Sequence, residues 1–294
     1  MSGPVLILGA EGQVGRATLA ALQRDDRPVV GLARRDLDIT DGAAIEAAFA
    51  GIRPSVVINA AAWTAVDAAE AAPEQALAVN GHAPGLIAAA VRHSGGALIH
   101  LSTDYVFDGR KGAPYVECDP PAPLSAYGRS KQIGEAAVIA SGVDGLVVRT
   151  SWLLSSGGFV GAILSRARAG EALRVVQDQS GRPTLVDDLA EALCALSLSS
   201  HLAQPARLYH YAGATDATWL DVAEALTETW SARVGVARPV LTGIASTDWP
   251  APARRPLNSR LDSSRIVSDF GLTLHDWRAA VPDLVEAWLQ GNLR

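Results

Sequence analysis

Tyr127 and Lys131 stand four positions apart, a spacing that puts both side chains on one face of a helix. An ammonium beside a phenol stabilises the phenolate. The pair therefore has the make-up of an acid–base catalyst, with the lysine expected to draw the tyrosine pKa down from its ordinary value of about 10. Tyr-x-x-x-Lys also occurs on many amphipathic helices that do no chemistry, so context decides. About two dozen positions upstream runs Ser102-Thr103-Asp104-Tyr105, and a hydroxyl there can hydrogen-bond a substrate carbonyl. Near the N-terminus, Gly9, Gly12 and Gly15 form Gly-x-x-Gly-x-x-Gly between an apolar run and an amphipathic stretch. Glycines at that spacing permit a tight turn and close approach of backbone to a pyrophosphate, which then meets a helix N-terminus.

The elements that must position these residues alternate in type. Short β-branched runs at Val5–Leu8, Val29–Leu32, Ser55–Asn59, Ala97–Leu101 and Gly145–Arg149 read as strands. Helical patterns span 13–23, 41–50 with Asp41 as N-cap, 73–94, and the segment carrying Tyr127 and Lys131. That rhythm predicts parallel βαβ units, hence an α/β fold with a Rossmann-type doubly wound sheet. Beyond 150 the rhythm loosens. Helices are expected at 158–169, 186–199, 218–230 and 276–289, with strands near Arg174–Val176 and Leu208–Tyr211. Residues 237–260, with prolines at 239, 250, 252 and 256, read as an ordered loop. We expect a nucleotide-binding domain over 1–150. Residues 151–294 would form mainly a smaller substrate-binding region, some segments of which return to the sheet.

The end of the second strand, Gly31-Leu32-Ala33-Arg34-Arg35, carries no acid before Asp36. NAD sites usually place a carboxylate there for the ribose 2′-hydroxyl, whereas Arg34 and Arg35 suit a 2′-phosphate. NADPH is the expected cofactor, with NADH left as an accepted alternative. Asp38 and Ile39 follow where a loop reaches the adenine. Asn59-Ala60-Ala61-Ala62 ends the third strand, where small residues let the backbone lie against the cofactor, and Asn80 sits within the next helix.

The chain of 294 residues is 49% hydrophobic and 19% charged, with a net charge of -6. Without a basic patch, nucleic acid is not an expected partner. No apolar run approaches a membrane span, so no membrane association and a cytoplasmic location are expected. Cys118 and Cys194 stand in no metal-ligand spacing, and the six histidines form no His-x-x-x-His pair. In the loop Pro252-Ala253-Arg254-Arg255-Pro256, guanidinium forks match phosphate oxygens and the prolines limit freedom. Arg255 is expected to meet a substrate diphosphate, with Arg182 as the next candidate.

These residues resemble an extended short-chain dehydrogenase/reductase, and more closely the dTDP-4-dehydrorhamnose reductase family. The matching segments are Gly9–Gly15, Asn59–Asp67, Ser102–Phe107, Tyr127–Lys131, Arg149–Trp152, Asp178–Thr184 and Pro252–Leu261. The likeness covers nearly the whole chain, and its last three segments are the most specific. It implies NADPH-dependent reduction at C4 of a dTDP-linked 4-keto-6-deoxyhexose. Tyr127 would protonate the oxygen, Lys131 would hold the nicotinamide ribose, and Thr103 would hydrogen-bond the reacting oxygen. Gly12, Gln13 and Val14 would lie on the pyrophosphate, and Asp38 and Ile39 near the adenine. Ala61, Ala62, Trp63 and Thr64, with Asn80 and Ser102, would complete the cofactor site, while Thr103, Asp104 and Trp152 would line the sugar pocket.

Related dehydratases carry Thr-Asp-Glu where this chain has Thr103-Asp104-Tyr105, so the carboxylate pair that expels water is missing. Some relatives dimerise around Mg²⁺ through acidic residues near the C-terminus. This chain has none after Glu286, and no metal is expected. A reductase for another dTDP-deoxysugar, or an NADP-binding regulatory subunit without turnover, remains an alternative. The oligomeric state, a homodimer among the options, stays open.

Overall fold

A computed structural model describes residues 3–292, so Leu293 and Arg294, which end the acid-free C-terminal run, lie outside the described residues. The first half alternates as the periodicity predicts. β1 (Val5–Leu8), α1 (Gln13–Arg24), β2 (Val29–Leu32), α2 (Gly42–Ile52) and β3 (Val56–Asn59) come first. α3 (Val66–Ala71), α4 (Pro73–Leu77), α5 (Ala83–Ser94), β4 (Ala97–Thr103), α6 (Ala126–Ala140) and β5 (Gly145–Thr150) follow. Then come β6 (Leu153–Leu154), α7 (Gly158–Arg168), β7 (Leu173–Val176), β8 (Ser180–Gly181), β9 (Thr184–Leu185) and α8 (Val186–Leu196). β10 (Arg207–His210), β11 (Ala217–Thr218), α9 (Trp219–Val234), β12 (Leu241–Ile244), α10 (Ser264–Phe270) and α11 (Val281–Asn292) complete the chain.

Six strands form the central sheet in the order β10-β5-β4-β3-β1-β2, and each neighbouring pair is parallel. Strands covered on both faces must be apolar nearly throughout, and β1, β3 and β5 are buried at every residue. One face packs Ile7, Ile58, Ile99 and Val148 with α1 and α8. The other packs Leu6, Val57, Leu98 and Val147 with α2, α5 and α6. The chain runs from β1 to β2 on one side and returns to β3 on the other. The crevice at that reversal is where open α/β sheets bind ligands.

A separate apolar cluster lies in the C-terminal half, where Val160, Leu164, Val222, Leu226, Trp277 and Val285 join α7, α9 and α11. β10 and α8 leave that half to join the sheet and pack on α1.

The structure departs from the sequence expectation in several places, among them α10 and the two-residue strands β6, β8, β9 and β11, which the sequence did not indicate. The helix expected over 73–94 is interrupted by a π turn at Ala78–His82. Within it Asn80 is drawn inward, accepting from the Trp63 backbone N–H at 2.8 Å and donating to the Trp63 carbonyl and Ser130 Oγ. Residues 237–260 are not loop throughout, because β12 pairs in parallel with β7. α3 was not anticipated, since six residues carry too little periodicity to register. Among the described residues no helix is long and apolar enough to cross a membrane.

α6 is fixed to the sheet by a buried ion pair. Arg149 Nε donates to Glu135 Oε1 at 2.8 Å and its Nη2 to Oε2 at 2.6 Å. Both side chains are at most 5% exposed. Removing one partner strands a charge in low dielectric, which costs about 3–5 kcal/mol. Glu135→Ala is expected to lose that much stability in urea unfolding. A loss below about 1 kcal/mol would mean that Arg149 finds another partner.

Candidate active site

The glycine turn closes the amino end of α1. Gly9 sits at φ +80°, and a Cβ there would meet the Ala61 backbone nitrogen at 2.7 Å. A Cβ on Gly15 would meet the Gly9 carbonyl at 2.2 Å. The Gly12 cap has no side chain to satisfy the first N–H groups of α1, which leaves them and the helix dipole to an anion. The turn opens on a cleft of about 750 Å³.

Of the predicted cofactor residues, Gly9, Gly12, Gln13, Val14, Arg34, Asp38, Ile39, Ala61, Ala62, Trp63, Thr64 and Ser102 line this cleft. Gly15 stands behind the wall, where it permits the turn. Asn80 is also behind the wall and acts through Trp63 and Ser130. Arg34 and Arg35 part company. Arg34 lines the cleft, whereas Arg35 is 71% exposed and ion-paired with Glu11. The Asp36 carboxylate turns back to accept from the Ala33 N–H at 2.9 Å, so it is occupied within its own loop. Asp38 accepts from the backbone and hydroxyl of Thr40, which hold its carboxyl below the ordinary range.

The polar chemistry gathers where β4 ends beside the first turns of α6. Ser125 caps α6, and Tyr127 and Lys131 face the cleft with Thr103, Asp104, Thr150 and Trp152. Thr103 lies within hydrogen-bonding reach of Tyr127 and donates to Asp104 Oδ1 at 3.0 Å. Lys131 Nζ donates to the Leu101 carbonyl at 2.6 Å. The expectation that Lys131 depresses the Tyr127 pKa is not met in this geometry. Burial pushes the phenol well above its ordinary value, and the nearby Asp104 carboxylate adds to the rise, outweighing the contact with the Thr103 hydroxyl. Tyr127 is therefore held as a phenol, the form that donates a proton. Burial also pushes Lys131 down to about 8, a fall that Glu135 opposes.

Asn59 Nδ2, a donor only, faces His100 Nδ1 at 3.0 Å, and Asn59 Oδ1 accepts from the Ala61 N–H. His100 is thus neutral, kept so by burial and then by the Lys131 charge. Its Nδ1 is the acceptor.

Arg255 takes a position that the sequence did not indicate. Its fork binds both Asp67 oxygens, at 3.1 and 2.8 Å, and it lies outside the residues lining the cleft. The charge intended for a diphosphate is already met by a carboxylate. Arg182 is likewise bound to Asp216, at 2.7 Å. Trp152 does line the cleft, at φ +48°. Sequence reasoning missed Trp219, which also lines it and stacks on Trp152 at 3.7 Å. The only local signal there, the Thr218–Asp221 capping box, marks a helix start and nothing more.

Residues 3–289 match the family described as RmlD substrate binding domain. The chain belongs to this family. It is 40% identical over 290 residues to the dTDP-4-dehydrorhamnose reductase of Burkholderia thailandensis, covering 94% of this chain and 96% of that one. It is 39% identical over 289 residues to a probable dTDP-4,6-dihydroxy-2-methyloxan-3-one 4-ketoreductase of Streptomyces antibioticus, covering 96% of each. A crystal structure of dTDP-4-dehydrorhamnose reductase from Bacillus anthracis in complex with NADP superposes with a TM-score of 0.88. That match is at 28% identity and covers 99% of this chain and 100% of that one.

Within this member of the RmlD family, Asp104 is the least comfortable charge. Burial pushes its carboxyl from 3.8 up to about 6, against hydrogen bonds from Ser259 and Thr103, and its Oδ2 has no hydrogen-bond partner. A carboxyl whose folded pKa exceeds its unfolded one costs stability when ionised. The cost is absent below about pH 4, grows through the window to pH 6, and is complete above it. At 1.36 kcal/mol per unit it reaches about 3 kcal/mol. Asp104→Asn is accordingly expected to be more stable than the native chain at pH 7.5, with the gain fading as pH falls toward 4. Thermal or urea unfolding at the two pH values checks this, and an equal gain at both would contradict it.

Proposed function

We propose that the chain is an NADPH-dependent reductase that converts the C4 carbonyl of dTDP-4-dehydrorhamnose to the hydroxyl of dTDP-L-rhamnose. The observation that carries the reading is the Thr103–Tyr127 pair beside Lys131 at the floor of a cleft opening on the glycine turn. Membership of the RmlD family and the likeness to an NADP-bound relative support it. A second reading, a 4-ketoreductase for another dTDP-linked deoxysugar, draws on the likeness to the Streptomyces antibioticus protein.

The residues fit the cofactor: a bare helix N-terminus for pyrophosphate, small residues Ala60–Ala62 along the wall, and Arg34 free in the cleft. NADPH, when bound, supplies the hydride that reduces C4. Gln13 and Val14 would hold the pyrophosphate through backbone N–H groups, while Gly12, whose own N–H donates to the Gly9 carbonyl at 2.9 Å, leaves room for its approach. Arg34 would grip the 2′-phosphate, and Asp38 and Ile39 would border the adenine. Lys131, one of whose N–H bonds goes to the Leu101 carbonyl, would hold the nicotinamide ribose with the others. Thr103 Oγ1, whose proton goes to Asp104 Oδ1, turns that proton to the substrate carbonyl and orients it. As charge develops on that oxygen, Tyr127 delivers the phenolic proton, completing the alcohol. The deep burial of the site strengthens each of these contacts.

Supplying dTDP-4-dehydrorhamnose with NADPH and identifying the product sugar by NMR tests the reading. Absence of NADPH oxidation would remove it, and a different sugar product would favour the second. Tyr127→Phe should lower kcat by roughly 10²–10⁴-fold with NADPH affinity unchanged, and retention of more than about a tenth of the native kcat would take the tyrosine out of the proton step. Arg34→Ala should raise KM for NADPH about tenfold or more, the worth of a charge-assisted hydrogen bond, and leave NADH unchanged. Arg35→Ala, removing a residue paired with Glu11, should do much less. Equal effects on both cofactors would show that Arg34 does not read the phosphate.

A further inference from the structure

Resting on the reductase reading, we propose that Trp219 is a specificity-determining residue, fixing the plane of Trp152 so that the two indoles form an apolar wall for the deoxygenated C6 of the sugar. The rings lie 3.7 Å apart and 1° from parallel, and both line the cleft. Phe159 braces the far side of Trp219 at 4.5 Å.

Several features of the chain are given over to holding this pair. Trp152 occupies the left-handed backbone region at φ +48°, a costly conformation for a bulky residue that persists only when its surroundings impose it. Residue 181 must lack a side chain, because a Cβ there would come within 2.2 Å of Trp152 Cε2. The indole N–H of Trp152 is already spent on Ser259 Oγ at 3.1 Å. What Trp152 has left for a ligand is hydrocarbon.

The wall also stands next to the reacting atoms. Ser259, which accepts from Trp152, lies close to the Asp104 carboxylate, and Asp104 accepts from Thr103, the residue beside Tyr127. A sugar whose C4 oxygen meets Thr103 and Tyr127 therefore has its C5–C6 edge, one and two bonds away, within reach of the wall. A methyl group there is buried against the hydrocarbon edges of the stacked rings, whose faces are taken by one another, by Gly181 and by Phe159. A hydroxymethyl group loses water and gains no partner, a penalty that an apolar pocket turns into a preference of roughly ten- to a hundredfold.

Calorimetric titration of the full chain, saturated with NADP⁺, with dTDP-L-rhamnose and with dTDP-L-mannose isolates the C6 oxygen. The native protein should prefer the deoxy sugar by about tenfold or more. Trp219→Ala and Trp219→Leu should both collapse that ratio toward one, chiefly by weakening the deoxy sugar, with NADP⁺ affinity intact. Trp219→Phe, which keeps a ring to stack, should restore most of it. The leucine variant retains bulk and decides the matter if the alanine variant fails to fold. A native-like ratio in Trp219→Leu would overturn the proposal, and so would a native protein without preference. Binding of both nucleotides with no turnover of the keto sugar would sink the reductase reading instead, while the ratio would still judge Trp219.

Discussion

The buried pair Arg149–Glu135 is the contact on which the rest of the site depends. α6 carries both Tyr127 and Lys131, and β5 leads directly into Thr150, Ser151 and Trp152. Two charge-assisted bonds between them set the height of the helix against the sheet. Arg149 also lies 4.9 Å from the Phe107 ring, which stacks on Tyr115. The loop leaving β4 is thereby referenced to the same guanidinium. Such pairs add little net stability compared with apolar packing, because desolvation consumes most of the Coulombic gain. Their strength is directional. An apolar contact would allow the helix to slide by fractions of an ångström, which positioned proton transfer does not tolerate.

Burial then sets the protonation states around that fixed frame. One low-dielectric environment keeps Tyr127 protonated, brings Lys131 to about 8, holds His100 neutral and pushes Asp104 to about 6. All four shifts share a sign in physical terms, since each favours the uncharged form. For Tyr127 that is the form a reduction needs. For Asp104 it is a burden, and its unpartnered Oδ2 faces the cost without relief. Unsatisfied polar atoms cluster at this strand end, with Ser102 Oγ and Thr150 Oγ1 beside it. Such atoms are donors and acceptors that a polar ligand in the cleft can meet.

The parts of this structure legible in the sequence were those governed by local periodicity. Val5–Leu8, the half-buried edge strand Val29–Leu32 and the Tyr127 helix were readable because short β-branched runs and helical spacing leave opposite signatures. The glycine turn was readable because its spacing and context coincide. Partner choice was not. Arg34 and Arg35 are adjacent and chemically identical, and only the fold reveals that Glu11 takes one of them. The π turn at Asn80 left no mark, since its cause is the contact of Asn80 with Trp63 and Ser130, residues 17 and 50 positions away. Trp219 was equally silent, because its partner Trp152 is brought to it by the fold alone.

The distribution of charge around the cleft follows from the same partner choices. Arg255 is claimed by Asp67 across 188 positions of sequence, and the Ala253 N–H joins the same carboxylate at 3.1 Å. This latches the loop after Pro252 to the segment following β3. Arg182 and Arg260 are both claimed by Asp216. Among the described residues lining the cleft, only Arg34 and Lys131 are basic, set against the acids Asp38 and Asp104. With one cation near the second strand and the other at the catalytic floor, a diphosphate elsewhere in the cleft meets no free guanidinium. Apart from these four charges the lining offers neutral polar groups and apolar surface. Fit and hydrogen bonding therefore count for more than charge in such a lining, of which the stacked Trp152 and Trp219 are part.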